Sequence, residues 1–296
     1  MDGRQAVTII GAGPAGMAAG IYLQRAGLAP LLLEKNVPGG LLRYGYWIEN
    51  YPGFPGGIGG DRLASLIHDH LLSVGGKVTI ASVERIDRDT ERTFTIATSQ
   101  GTVESDAVIM ATGTRPRTID IPGLKGLEGI SAFYDLFELS RAAGGHDRIL
   151  VYGGGDAAFD QAIRLREEGH EVTVQCRSEP RCLPLLRERA RMRGIPLVDG
   201  LPIVNVRKDQ DGTVLDMGQG DHMIVDKVLL ACGREPRVEI LSPTLLSQMS
   251  IVPSPSPVPG LFLAGDLVGG MERQVGIAIG SGMSAAMKAE RYVDGS

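Results

Sequence analysis

The chain has 296 residues, 43% of them hydrophobic and 22% charged, with a formal net charge of −5. That length suits two domains of ordinary size, and the composition is that of a globular protein rather than a disordered or membrane one. The negative balance excludes a bulk electrostatic affinity for nucleic acid. Three cysteines, Cys176, Cys182 and Cys232, with no secretory leader, argue against a disulfide framework and for the reducing cytoplasm.

Residues 6–23 carry no charge and follow Arg4, so a hydropathy window would read a signal peptide or a membrane span. The glycines and Pro14 within the run fit a strand, a turn and a buried helix instead. A strand is expected over 7–10, then the turn Gly11-Ala12-Gly13-Pro14-Ala15-Gly16, a helix to about Arg25 and a second strand over 31–34. A loop rich in glycine and aromatic residues follows over 37–60, then a helix over 62–74 and several short strands between 77 and 110. The last of these, over 107–110, runs into Ala111-Thr112-Gly113.

A second unit of the same kind begins at Arg148: strand 149–152, turn Gly153-Gly154-Gly155-Asp156-Ala157-Ala158, helix to about Glu168, strand 172–175. A strand over 228–231 ends at Cys232-Gly233-Arg234. Pro253, Pro255, Pro257 and Pro259 then read as a stiff surface connection before a strand over 261–264. Residues 274–292 have the small-residue and apolar pattern of a buried helix.

Gly11-x-Gly13-x-x-Gly16 lies between a strand and a helix, with Glu34 about twenty residues on, which is the pattern of a dinucleotide site. Glycine lets backbone approach a pyrophosphate, the helix start offers free N–H groups, and a carboxylate can accept from a ribose hydroxyl. In the second copy the position equivalent to Glu34 is Cys176, followed by Arg177. With no carboxylate for a 2′-hydroxyl, and with Arg177 and Arg181 available to a 2′-phosphate, NADP is favoured over NAD. The competing reading is that both belong to an exposed run continuing through Arg187, Arg189, Arg191 and Arg193.

The ordered set Gly11 to Gly16, Gly39-Gly40-Leu41, Glu49-Asn50-Tyr51-Pro52-Gly53, Ala111-Thr112-Gly113, Gly153 to Ala158, Gly265-Asp266 and Arg273-Gln274-Val275 resembles low-molecular-weight thioredoxin reductase along essentially the whole chain. The resemblance implies an α/β fold of three-layer ββα type with two Rossmann-like domains: an FAD domain over 1–115 and 236–296, and an inserted NADP(H) domain over 116–235. It implies FAD contacts from Gly11, Gly13, Pro14, Ala15, Gly16, Glu34, Lys35, Gly40, Leu41, Asn50, Val83, Ala111, Thr112, Gly113, Gly265, Asp266, Arg273, Gln274 and Val275. NADP contacts are implied for Gly153, Gly155, Asp156, Ala157, Ala158, Arg177, Arg181 and Gly233. Arg273, Gln274 and Val275 would bring a helix start to the flavin's pyrimidine edge, favouring negative charge there and so tuning its potential.

The departures from the family are informative. Where it carries Cys-x-x-Cys-Asp, this chain reads Ile130-Ser131-Ala132-Phe133-Tyr134-Asp135, so the dithiol that passes electrons by exchange is missing. Asp135 is a candidate acid and reads equally as the cap of the next helix. Leu41 stands where the family has Gln, and Ser178 where it has a second arginine. Cys176 and Cys182 do not have a redox or metal spacing, Cys232 reads as a core thiol, and His68-Asp69-His70 points to different sides of a helix, so no metal site is expected. Tyr44, Tyr46, Trp47, Tyr51 and Phe54 either line the flavin's exposed face or pack their own loop.

The expectation is a cytoplasmic, homodimeric flavoprotein that binds neither nucleic acid nor membrane. It takes hydride from NADPH, with NADH as the other donor, onto FAD and passes electrons to a small-molecule or carrier acceptor. A ferredoxin- or flavodoxin-linked NADP reductase is the alternative enzyme, against which stands a chain that stops soon after Tyr292. A structural or sensing FAD protein, or one reduced by a partner, is the alternative of another class.

Overall fold

The computed structural model describes residues 3–89, 93–248, 256, 258–270 and 272–295, and Pro253, Pro255 and Pro257 lie outside these. The chain forms two compact units. The first comprises residues 1–43, 47–115 and 235–296, and the second residues 44–46 and 116–234.

In chain order the first unit holds β1 (Gln5–Ile10), α1 (Pro14–Arg25), β2 (Leu31–Glu34), α2 (Gly60–Ser73), β3 (Val78–Ile80), β4 (Val83–Arg88), β5 (Phe94–Thr98) and β6 (Gly101–Met110), and reaches β7 (Thr114–Pro116). The second unit contains β8 (Ala132–Phe133), α3 (Leu136–Ala142), β9 (Arg148–Tyr152), α4 (Asp156–Glu167), β10 (Glu171–Gln175), α5 (Pro184–Met192) and β11 (Leu197–Val198). It continues through β12 (Ile203–Asp209), β13 (Gly212–Met217), β14 (His222–Val225) and β15 (Lys227–Leu230). After β16 (Arg234–Pro236) the first unit is completed by α6 (Pro243–Ser247), β17 (Leu261–Leu263) and α7 (Val275–Val293).

In the first unit β3, β2, β1, β6 and β17 run parallel. The long β6 does two jobs: residues 101–105 pair antiparallel with β5, and its later residues lie between β1 and β17. Strands buried on both sides need apolar residues throughout, and Val7, Ile9, Ala107, Val108, Ile109 and Met110 are buried. α7 packs on α1 at van der Waals range because Gly282 faces it: a Cβ there would stand 2.1 Å from the Ala15 carbonyl oxygen. Small residues on both helices, Ala15, Ala19, Ala278, Ala285 and Ala286, build that core with β1 and β6.

The second unit repeats the pattern with a parallel sheet ordered β11-β10-β9-β15-β8 and a separate antiparallel sheet β12-β13-β14. α4 buries Ala158, Phe159, Ala162 and Ile163 against Val151, Val172 and Val174. Both are mixed α/β units around parallel sheets, the architecture the glycine turns led us to expect.

Candidate functional site

Parallel strands put all their C-terminal ends on one side, and in an open α/β sheet the crevice beyond those ends takes the ligand. In the first unit this places the Gly11 turn after β1, Glu34 at the end of β2, Ala111 after β6 and Gly265 after β17 along one rim. Gly11 has φ +100° and its Cβ would lie 2.4 Å from the Ala111 carbonyl oxygen; that of Gly16 would lie 1.8 Å from the Gly11 oxygen. Gly13 instead faces open space, with nothing within 4 Å of its Cβ position. Two glycines therefore close the turn, and the third leaves room for a ligand.

Other predicted residues gather here. Gly39 N–H donates to the Ala12 carbonyl at 2.8 Å, and Gly40, ahead of Leu41, approaches the Gly13 Cα. Glu34 Oε2 accepts from Ala12 N–H at 2.8 Å and Oε1 from Asn36 N–H at 3.0 Å, so its carboxylate supports the turn, with the exposed Lys35 between them. Thr112 Oγ1 donates to the Arg237 carbonyl at 2.8 Å, and Gly113 has φ +66°. Gly265 N–H donates to Ser281 Oγ at 2.8 Å, followed by Asp266 in a short turn. Asn50 Nδ2 donates to Gln274 Oε1 at 2.6 Å, joining the loop after β2 to the start of α7 next to Arg273. Val83 begins β4 and packs on the cluster of Ile10 and Leu33.

Helix starts leave N–H groups without partners. α1 begins at Gly13-Pro14 and α7 at Gln274-Val275, both without a side-chain cap or an acidic residue in the first turn. Open donors, an unfilled glycine and a positive dipole end fit the pyrophosphate of FAD.

In the second unit Gly153 N–H donates to the Gln175 carbonyl at 2.9 Å, and its Cβ would lie 2.3 Å from the Ala231 oxygen; Gly155, like Gly13, faces open space. The next residues are Asp156, the exposed Ala157 and the buried Ala158. Gly233 has φ +106° beyond β15. The loop after β10 is tied back to this turn by Arg181 N–H to the Gly154 carbonyl, 2.7 Å, and by Leu183 N–H to Asp156 Oδ1, 2.8 Å.

The arginine run is not uniform. Arg191 pairs with Glu188 and Arg193 with Glu167, both at 2.7 Å. Arg177, Arg181 and Arg187 are exposed and form no ion pair among the described residues. The residues nearest the glycine turn are thus the ones left for an anion, an arrangement that fits a 2′-phosphate.

All three thiols also lie around this crevice. Cys176 Sγ donates to the Gly153 carbonyl at 3.2 Å and Cys232 Sγ to that of Tyr152 at 3.3 Å. Burial pushes the Cys176 and Cys182 thiols up and that of Cys232 up to about 11, so none is a ready thiolate. Asp135 caps α3, its Oδ1 accepting from Phe137 and Glu138 N–H at 2.9 and 3.3 Å. Among the described residues no His, Cys, Asp and Glu group could hold a metal ion.

The aromatic cluster divides. Tyr51 and Phe54 stack at 6.1 Å and pack with Val275 around Leu42 and Ile58, and Trp47 lies over Gly57. Tyr44 contacts Phe137, while Tyr46 donates its N–H to Asp160 at 3.1 Å and its hydroxyl to Glu167. Sequence reading missed Asp160, whose carboxyl burial pushes up, because no motif marks it. Two hollows of about 400 and 350 Å³ in the second unit include no residue of the glycine turn.

Two glycine-turn crevices, each at the C-terminal ends of a parallel sheet, define a two-dinucleotide oxidoreductase of α/β fold. The family model for pyridine nucleotide-disulphide oxidoreductases matches residues 5–288. The chain belongs to that family: it is a thioredoxin-reductase-like, FAD-dependent NAD(P)H oxidoreductase, and its cofactors are FAD and NAD(P)H. It is 32% identical to a thioredoxin reductase of Mycolicibacterium smegmatis over 97% of this chain and 96% of that one. It is also 32% identical to a bifunctional thioredoxin reductase/thioredoxin of Mycobacterium leprae, of which it spans 65%. The crystal structure of Lactococcus lactis thioredoxin reductase superposes with a TM-score of 0.87 over 99% of this chain and all of that one, at 27% identity.

Proposed function

We propose that the first unit (1–115 and 236–296 as read from sequence) binds FAD and the second (116–235) binds NADPH. In this reading the chain passes electrons to an acceptor other than a dithiol of its own. What supports this is the segment Ile130 to Asp135: it has no cysteine, and its Ala132 and Phe133 are a buried strand whose side chains fill the core. When bound, FAD accepts hydride from the nicotinamide and releases electrons singly or in pairs. The protein's part is to hold pyrophosphates on the starts of α1 and α4, to seat the adenosine phosphate by Arg177 and Arg181, and to present the open start of α7 to the flavin.

A small molecule or a carrier protein is the acceptor. An acidic carrier such as ferredoxin or flavodoxin is favoured by one observation: Arg187 is exposed beside Leu183 and Leu185, which are 54% and 53% exposed. The cell compartment is the reducing cytoplasm, and a homodimer would cover Ile277, Met283 and Met287 of α7, which lie about half exposed.

An anaerobic titration with NADPH, and separately NADH, followed by flavin absorbance, tests the first half-reaction. Stoichiometric bleaching with NADPH preferred is expected, and no bleaching by either nucleotide would overturn it. Thioredoxin reduction as fast as flavin reduction would overturn the second half.

A further inference from the structure

Asp156 is the first residue of α4, where a carboxylate opposes a bound pyrophosphate unless it is turned elsewhere. It is turned elsewhere. Its Oδ1 accepts from Leu183 N–H at 2.8 Å, across 27 residues of sequence. Two residues earlier, Arg181 N–H is held by the Gly154 carbonyl at 2.7 Å. The two bonds bracket Cys182 and fix both ends of the short stretch that presents Arg181. Leu183 is also the residue on which α5 starts, its carbonyl accepting from Leu186 and Arg187 N–H at 3.0 and 3.3 Å, so the same anchor sets where Arg187 stands.

The glycine turn does not depend on this anchor. Gly153 N–H is bonded to Gln175 and Ala158 N–H to Gly155, and Gly153 sits against Ala231. Loss of the Asp156 carboxylate would leave the pyrophosphate cradle standing and free the Leu183 end of the arginine-bearing loop, which then hangs on the single Arg181–Gly154 bond.

We infer that Asp156 is a positioning residue that sets the choice of NADP over NAD by fastening residues 177–183 to the glycine turn. This rests on the reading of the second unit as the NADP site. The resemblance counts Asp156 among the NADP contacts; in this inference its carboxylate, held by Leu183 N–H, acts instead through Arg177 and Arg181.

Calorimetric titration of the FAD-loaded protein with 2′,5′-ADP and with 5′-AMP tests it, since the two probes differ only in the 2′-phosphate. Asp156→Ala is expected to weaken 2′,5′-ADP about tenfold, the loss of one hydrogen bond to a charged group, and to leave 5′-AMP within about twofold. Asp156→Asn keeps the accepting oxygen and is expected to retain 2′,5′-ADP binding. Leu183→Pro removes the donor from the other side at a residue whose φ of −55° proline accepts, and is expected to reproduce the selective loss. Equal weakening of both probes, unchanged 2′,5′-ADP binding, or an Asn variant that behaves as Ala would overturn the inference. Wild-type protein that binds the two probes equally would overturn the NADP reading itself, which the wild-type titration alone reveals.

Discussion

A single methyl group separates two roles among the glycines of the first turn. At Gly16 it would collide with the Gly11 carbonyl, whereas at Gly13 it would meet nothing within 4 Å. Gly16→Ala is therefore expected to lower stability by about 1–3 kcal/mol, as overpacking does, and to lose FAD. Gly13→Ala is expected to melt within about 1 kcal/mol of the flavin-free wild type and still lose FAD. Thermal unfolding with the ratio of flavin to protein absorbance separates the two. Cys232 gives a pH prediction. Its thiol, at about 11 in the fold against an ordinary 9.0, keeps its proton while the unfolded chain ionises. Its contribution is whole below pH 9 and is lost as pH rises through 9 to 11, where the unfolded state binds fewer protons. Alkylation of Cys232 in a Cys176→Ser, Cys182→Ser background should be slow at pH 8 and accelerate only toward pH 11. Glycine identities are legible in sequence because the residue type is itself the constraint. The direction of Asp156 is not, because a loop 27 residues away decides it.

At the scale of elements, Asp135 separates a cap from an acid. Two N–H groups of α3 converge on one of its oxygens, so Asp135→Ala should cost about 0.5–2 kcal/mol of stability. The pH profile of flavin reduction should not move; loss of a limb of that profile would restore the catalytic reading. α7 depends on Gly282, whose replacement by Ala would push it off Ala15, with an expected loss of about 1–3 kcal/mol in denaturant unfolding. Periodicity places the two helices to within a residue or two at their ends, the expected 62–74 being Gly60–Ser73 and 274–292 being Val275–Val293, but it reads only the last four residues of β6, which starts at Gly101 rather than 107. What periodicity does not carry is partnership. Six arginines in one run look alike in sequence, yet Glu188 and Glu167 claim two of them. Tyr46 and Tyr51 lie in one aromatic loop, and contacts with Glu167 and Phe54 draw them to different cores.

For the whole molecule, the half-exposed stripe of Ile277, Met283 and Met287 on α7 predicts self-association. Met283→Asp should halve the mass measured by sedimentation if that face is the dimer contact; a monomeric wild type would exclude it. The first unit is also discontinuous: β17 and α7 come from beyond residue 234, and the second unit lies between. During synthesis the ribosome has therefore made every residue of the second unit before the first can close. Until Leu261, Phe262 and Leu263 arrive, the later half of β6 is an open sheet edge, and the small-residue face of α1 waits for α7. The nascent chain has to carry its first glycine turn half built through the folding of another domain, which makes the interval between residues 116 and 293 the period in which a chaperone would be most needed.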